Sequence, residues 1–133
     1  MTNSVIQKIV LFVFFGIVAS GCALEDDPSV TAKKDIVKPT LTEVTAVSSP
    51  TSDSTPNYTF SSSEAGTITY GGSCSSSTTS ATTDNNTITL ISLSDGTYSN
   101  CTIKVTDSAG NASSSLTMSS FVVDTTSPTV SST

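Results

Sequence analysis

The chain has no histidine, tryptophan or arginine, and only 12% of its 133 residues are charged. The absence of histidine excludes Ser-His-Asp and Cys-His catalysis, histidine-ligated metals and imidazole acid–base chemistry. A Ser–Lys pair would need Lys104, which falls on the polar side of a predicted strand, so we expect no enzyme activity. Five lysines against eleven acidic residues give a net charge of −6. Such a surface repels phosphate backbones, and we expect no nucleic-acid partner.

Serine and threonine dominate the composition, with 27 and 24 residues. From residue 40 to residue 124, apolar residues alternate with Ser or Thr, which predicts strands with one buried and one solvated face. Turn-forming Gly, Pro, Asn and Asp separate these stretches. The predicted strands are residues 40–47, 57–62, 66–71, 86–93, 97–107 and 114–124. The pattern indicates an all-β protein, an antiparallel β-sandwich of about seven strands.

An apolar run covers residues 9–18 and ends in Ala19, Ser20, Gly21 and Cys22. The run is shorter than the ~20 residues of a membrane-spanning helix but has the length of a signal-peptide core. Its ending resembles the lipobox of bacterial lipoproteins. The resemblance implies that residues 1–21 are a signal peptide and that Cys22 carries a diacylglycerol, with palmitate as a typical acyl chain. An ordinary secretory peptide or a membrane helix, with Cys22 uninvolved, is the alternative.

Residues 22–37 combine mixed charge with little apolar periodicity, which indicates the lipidated cysteine followed by a flexible tether. The residue after the cysteine is Ala23. In enterobacterial lipoproteins a residue other than Asp at this position implies transfer to the outer membrane. By that resemblance we expect a protein of the bacterial cell envelope, anchored through its lipid to the outer membrane.

Three phrases in the body of the chain carry a second resemblance. They are S-D-G-T-Y at 94–98, V-T-D-S-A-G-N at 105–111 and F-V-V-D-T-T-S-P at 121–128. They resemble the bacterial immunoglobulin-like (Ig-like) repeats of surface proteins, which implies an Ig-like β-sandwich over residues 38–124. The phrase D-x-x-x-P-T-[LV] begins at Asp35 and again at Asp124. Residues 125–133 are therefore expected to start a truncated second repeat or to form a linker.

The apolar alternation changes phase twice near the end of the chain. Tyr98 lies three residues before Cys101, so the two side chains fall in opposite phases. We expect a bulge near residues 99–100, or a Tyr98 that stays partly exposed. The same change of phase is expected at residues 119–120.

Cys74 and Cys101 are an even pair in an exported chain, where thiols tend to be oxidised. Cys74 follows the strand that corresponds to strand C of Ig-like domains, and Cys101 lies in the strand that corresponds to strand F. Those strands are neighbours in the family's sheet, so the resemblance implies a disulfide bond. Two free buried thiols are the alternative.

Calcium is the one metal that the residues suggest. Asp107, Asn111 and Asp124 are expected to approach one end of the sandwich, and their oxygens suit Ca²⁺ at a junction between domains. The alternative is that Asp107 and Asn111 shape a turn and that Asp124 begins a linker. Apart from the covalent lipid, no other cofactor is expected.

These features predict a lipoprotein whose Ig-like domain serves as a surface spacer, an adhesion domain or a protein-interaction module, with an unidentified protein or glycan as ligand. Two alternatives stay open. The chain could be the anchoring part of a longer extracytoplasmic enzyme, or a truncated product without function.

Overall fold

The computed structural model describes residues 33–131. Within that range the chain forms nine strands and no helix. The strands are β1 (Leu41–Thr45), β2 (Asn57–Ser62), β3 (Gly66–Gly71), β4 (Ser80–Ala81), β5 (Asp84–Thr89), β6 (Gly96–Tyr98), β7 (Thr102–Thr106), β8 (Leu116–Thr117) and β9 (Phe121–Val123). No helix in this part of the chain has the length and apolar character needed to cross a membrane.

Two antiparallel sheets enclose the core. One has the strand order β1-β2-β5 and the other β4-β3-β7-β8, while β6 pairs with β9. Gly96 lies opposite Val123 and Thr102 lies opposite Thr117, so six residues separate these two pairs on each strand. The pairs β6–β9 and β7–β8 are therefore two halves of one hairpin with a single register, which we call the last hairpin.

Alternating side chains build the core between the sheets. β2 buries Tyr58 and Phe60, and β7 buries Ile103 and Val105 while Lys104 between them is exposed. Each fully buried large apolar side chain contributes about 1.5–3 kcal/mol. The buried apolar residues are Val47, Tyr58, Phe60, Ile68, Cys74, Ala81, Ile88, Leu90, Leu93, Cys101, Ile103, Val105, Met118, Phe121 and Val123. The expected all-β sandwich is confirmed.

Two of the predicted strands are each divided in the structure. The stretch 97–107 becomes β6 and β7, and the stretch 114–124 becomes β8 and β9. Both breaks occur at the expected changes of phase, which are confirmed. The register is the same on both sides of the breaks, so there is no bulge at residues 99–100, and the partly exposed Tyr98 is the expectation that holds. Tyr98 is half-buried, and its hydroxyl donates a hydrogen bond to the carbonyl oxygen of Ser94 at 2.9 Å.

The middle of the chain departs from the prediction in two places. The strand expected at 86–93 is β5, which ends at Thr89, because the amide of Ile91 donates instead to the carbonyl oxygen of Ser75 at 2.8 Å. The Ser/Thr-rich segment 75–83, which lies outside the predicted strands, contains β4, which pairs with the start of β3. Ala81 of this short strand is buried in the core, and the amide of Ile68 donates to the carbonyl oxygen of Thr79 at 2.8 Å.

A disulfide bond joins Cys74 to Cys101, with 5.1 Å between the two Cα atoms. The expected pairing is confirmed. Cys101 immediately precedes β7, at the break in the last hairpin, and Cys74 lies in the loop after β3. The bond therefore fixes the irregular part of one strand to its neighbour in the same sheet.

Removing this disulfide should lower the free energy of unfolding by about 3.5 kcal/mol, because the bond closes a loop with a sequence separation of 27 residues. We expect urea unfolding of the Cys74→Ala/Cys101→Ala double variant to show that loss. Reduction by dithiothreitol should lower the free energy of unfolding of the native protein by the same amount and leave that of the double variant unchanged. A native protein insensitive to dithiothreitol in urea would contradict the prediction.

Gly72 and Gly110 both have positive φ, +74° and +91°, and form a matched pair for substitution. A methyl group at Gly72 would overlap the carbonyl oxygen of Asn100 at the break, whereas nothing lies within 4 Å of a methyl group at Gly110. Gly110→Ala should cost about 1 kcal/mol from backbone strain alone. Gly72→Ala should cost about 2 kcal/mol more, because backbone must move. Equal unfolding midpoints for the two variants would show that the close approach does not matter.

Candidate functional site

A tight turn after β7 brings Asp107 and Asn111 together. The Asp107 carboxylate accepts hydrogen bonds from the Asn111 amide at 2.8 Å and from Asn111 Nδ2 at 2.7 Å, and the Asp107 amide donates to the Asn111 carbonyl at 3.0 Å. Asp107 is only 8% exposed. The Asn111 side chain lowers the pKa of Asp107, outweighing burial, with help from the amides of Asn111, Ala109 and Gly110. Asp107 and Asn111 therefore shape this turn, which is the predicted alternative to calcium binding.

Two further carboxylates lie beside this turn. Asp35, before β1, and Glu64, between β2 and β3, each place an oxygen within 4.8 Å of the Asp107 carboxylate and of each other. Asn111 Nδ2 also donates to the carbonyl oxygen of Asp35 at 3.3 Å. Burial raises the pKa of Glu64, and the negative charges of Asp35 and Asp107 raise it further. The like charges therefore repel one another at this end of the sandwich.

Asp124 lies at the other end. It follows β9, where Val123 lies opposite Gly96, whereas Asp107 follows β7, and the two positions are separated by the length of the last hairpin. The amide of Asp124 donates to the carbonyl oxygen of Thr51 at 2.9 Å. The expected grouping of Asp107, Asn111 and Asp124 needs a correction, because antiparallel strands place the end of β7 and the end of β9 at opposite ends.

Sequence reasoning missed Asp35 and Glu64 as neighbours of Asp107. The signal was present in the order of the strands: a residue before the first strand and a turn after the second lie at the same end as the turn after β7. Carboxylate and amide oxygens suit Ca²⁺, which takes six to eight oxygen ligands. Calcium binding stays a prediction, with Asp35 and Glu64 in place of Asp124.

A second group of carboxylate contacts holds the chain after β9. Asp95, in the turn before β6, accepts hydrogen bonds on Oδ1 from the amide and hydroxyl of Thr125, at 2.9 and 2.7 Å. Its Oδ2 accepts the hydroxyl of Thr126 at 2.8 Å. The Thr125 hydroxyl, the Thr125 amide and the Thr126 hydroxyl lower the pKa of Asp95, in that order of size.

Glu43 bridges the two sheets at the break in the last hairpin. From β1 its carboxylate accepts the amide of Ser119 at 2.8 Å and the hydroxyl of Ser119 at 2.6 Å. Burial alone would raise the pKa of Glu43, but these bonds and the nearby Tyr58 hydroxyl outweigh it and lower the pKa. The Tyr58 hydroxyl is buried and has no hydrogen-bond partner of good geometry among the described residues. Burial first, and then the Glu43 carboxylate, raise the pKa of Tyr58.

A small cavity of about 200 Å³ lies between the start of β1 and β8. Its lining residues are Pro39, Thr40, Leu41, Ser114, Ser115 and Leu116. None of these side chains titrates near neutral pH, so the cavity offers no acid–base chemistry.

The model of one protein family, described as a bacterial Ig-like domain, matches residues 31–125, which is well over half of the chain. No curated protein and no solved structure matches it.

Substitution of Glu by Gln should have opposite effects on stability at Glu64 and at Glu43. Because the pKa of Glu64 is raised, its ionisation opposes folding at neutral pH, and Glu64→Gln should raise the unfolding midpoint at pH 7. That gain in stability should fade as pH falls through the raised pKa and should shrink in high salt.

Because the pKa of Glu43 is lowered, Glu43→Gln should lower the free energy of unfolding by about 1 kcal/mol at pH 7 after screening by solvent. This loss should disappear only below pH 4.5.

Thermal unfolding across pH 3–8 measures both effects. A less stable Glu64→Gln variant at pH 7 would refute repulsion among the three carboxylates.

Millimolar CaCl₂, compared with MgCl₂ at equal ionic strength, should stabilise the native protein and not Glu64→Gln. Equal shifts in both proteins would count against calcium at these residues.

Proposed function

Since the chain belongs to the bacterial Ig-like domain family, we propose that it is a lipoprotein of the bacterial surface, anchored at the outer membrane, whose sandwich acts as a spacer and interaction module. Members of this family are typically non-enzymatic surface or interaction modules, which agrees with the absence of histidine.

The positions at which the chain enters and leaves the domain are the observation that best supports a spacer. The incoming segment, residues 33–38, reaches the sandwich at the turn formed by Asp107 and Asn111. The outgoing segment, residues 124–131, leaves beside Asp95 at the opposite end. The last hairpin between them extends ~35 Å at the rise of an antiparallel strand. A domain that the chain enters at one pole and leaves at the other holds the segments on its two sides apart.

The anchor is proposed from the leader and its cysteine. Cys22 and the signal peptide lie outside the described residues. Each buried methylene contributes ~0.8 kcal/mol, so two or three acyl chains on one residue hold a protein at a bilayer almost permanently. With residues 22–37 as a tether, the domain would stand away from the membrane surface.

An uncharged polar face supports the interaction role. On β2 and β5 the Thr59 and Thr87 hydroxyls lie 2.8 Å apart, and the Thr89 hydroxyl donates to Asn57 Oδ1 at 2.7 Å. These side chains point away from the core of the β1-β2-β5 sheet. An array of hydroxyl and amide groups without charge offers hydrogen bonds to a protein or a glycan, the two ligand classes we propose. The net negative charge argues against nucleic acid.

Metabolic labelling with radioactive palmitate tests the anchor. The native protein should take up label and sediment with the outer-membrane fraction, because Cys22 carries the acyl chains. Cys22→Ser should lose the label and the membrane association. The Cys74→Ala/Cys101→Ala variant is the matched control, since it removes the two other cysteines and should keep the label. Labelling of Cys22→Ser equal to that of the native protein would refute lipid attachment at this residue.

A further inference from the structure

The backbone ladder ends at the start of the outgoing segment. The amide of Asp124 makes the last backbone hydrogen bond, to Thr51, and no backbone–backbone bond involves residues 125–131 in the described structure. Thr125 and Thr126 are nevertheless held, because both oxygens of Asp95 accept their donors. One side chain therefore extends the ordered path of the chain by two residues.

Asp95 is itself firmly placed. It lies between Ser94, whose carbonyl oxygen accepts the Tyr98 hydroxyl at 2.9 Å, and Gly96, which pairs with Val123. The ring of Tyr98 stacks on Phe121 with 5.3 Å between centroids. The carboxylate that holds the outgoing segment is thus attached to the core through the turn before β6.

The incoming segment has the same local turn but a weaker tie. The Val37 amide donates to Asp35 Oδ1 at 2.9 Å, and the Thr126 amide donates to Asp124 Oδ1 at 3.1 Å, so both copies of the repeated phrase form the same bond. Between residues 33–38 and the remainder of the described chain, however, the one hydrogen bond is that of Asn111 with Asp35, at 3.3 Å. It lies beside carboxylates that repel Asp35.

We propose that Asp95 is a positioning residue that fixes the direction in which the chain leaves the sandwich, while the incoming segment remains a hinge. Hydrogen bonds to a carboxylate are shorter and stronger than those between neutral groups, and three of them converge on this one. The lowered pKa of Asp95 agrees, since it keeps the acceptor ionised at neutral pH. The contacts of Asp95 do not depend on whether Cys22 carries lipid.

Backbone dynamics of the full ¹⁵N-labelled chain in detergent micelles test the proposal. In one spectrum of the native protein, the heteronuclear NOE of Thr125 and Thr126 should approach that of the strands, whereas Ile36 and Val37 should be lower. Asp95→Ala should bring Thr125 and Thr126 down to the level of Ile36 and Val37. It should also speed amide exchange of Thr125 about tenfold, as expected for the loss of a hydrogen bond to a charged group.

Two further variants distinguish the loss of the hydrogen-bond acceptor at Asp95 from the loss of a negative charge. Asp95→Asn keeps one acceptor oxygen and should give an intermediate result. Asp84→Asn is the matched control, because the Asp84 carboxylate accepts no hydrogen bond from described residues, and it should match the native protein. Should Asp95→Ala fail to fold, Thr125→Val/Thr126→Val removes the two hydroxyl donors instead and should loosen the same amides.

The proposal would be overturned if, in the native protein, the amides of Thr125 and Thr126 were as mobile as those of Ile36 and Val37. It would also be overturned if removing the Asp95 carboxylate or the two hydroxyls left the Thr125 and Thr126 amides unaffected. The Cys22→Ser background separates the two proposals. There the dynamics of Thr125 should be unchanged, even if the palmitate experiment had refuted the anchor.

Discussion

The fold depends on a change in which alternate residues face the core, and both strands of the last hairpin make this change at the same level. Tyr98 and Cys101 are three residues apart, and so are Met118 and Phe121, yet all four side chains pack in or against the core. An inversion in one strand alone would shift the register and turn every following side chain to the other face. Because both strands invert at the same level, the pairing is equal on either side of the break.

Side-chain hydrogen bonds to distant parts of the chain hold the break in place. Glu43 receives the amide of Ser119, and the Asn100 side chain accepts the amide of Ser73 at 3.2 Å. The disulfide holds Cys101 at the same level. The Glu43 bonds thus join the first sheet to the irregular part of the hairpin, while the Asn100 bond and the disulfide tie that part to its neighbour in the same sheet.

Local features of this fold could be predicted from the sequence, and long-range ones could not. The strands and both breaks could be predicted because alternation is a local property. The disulfide was predicted through the family resemblance. The pairing of Asp107 with Asp35 and Glu64, and its separation from Asp124, could not be read locally, since it depends on which end of the sandwich each strand reaches. β4 was missed because Ala81 is a single apolar residue in a polar run.

The repeated phrase shows how one sequence can behave differently in two places. Asp35 and Asp124 form the same local turn, which is encoded within the phrase itself. The ties of residues 33–38 and of Thr125 and Thr126 to the sandwich come from elsewhere: Asn111 makes one long bond to the incoming segment, and Asp95 makes three short ones to the outgoing segment. Stiffness at each end is therefore set by the turn that faces the segment. A sandwich with an unchanged core could be made stiffer or looser at either pole by a single residue in those turns.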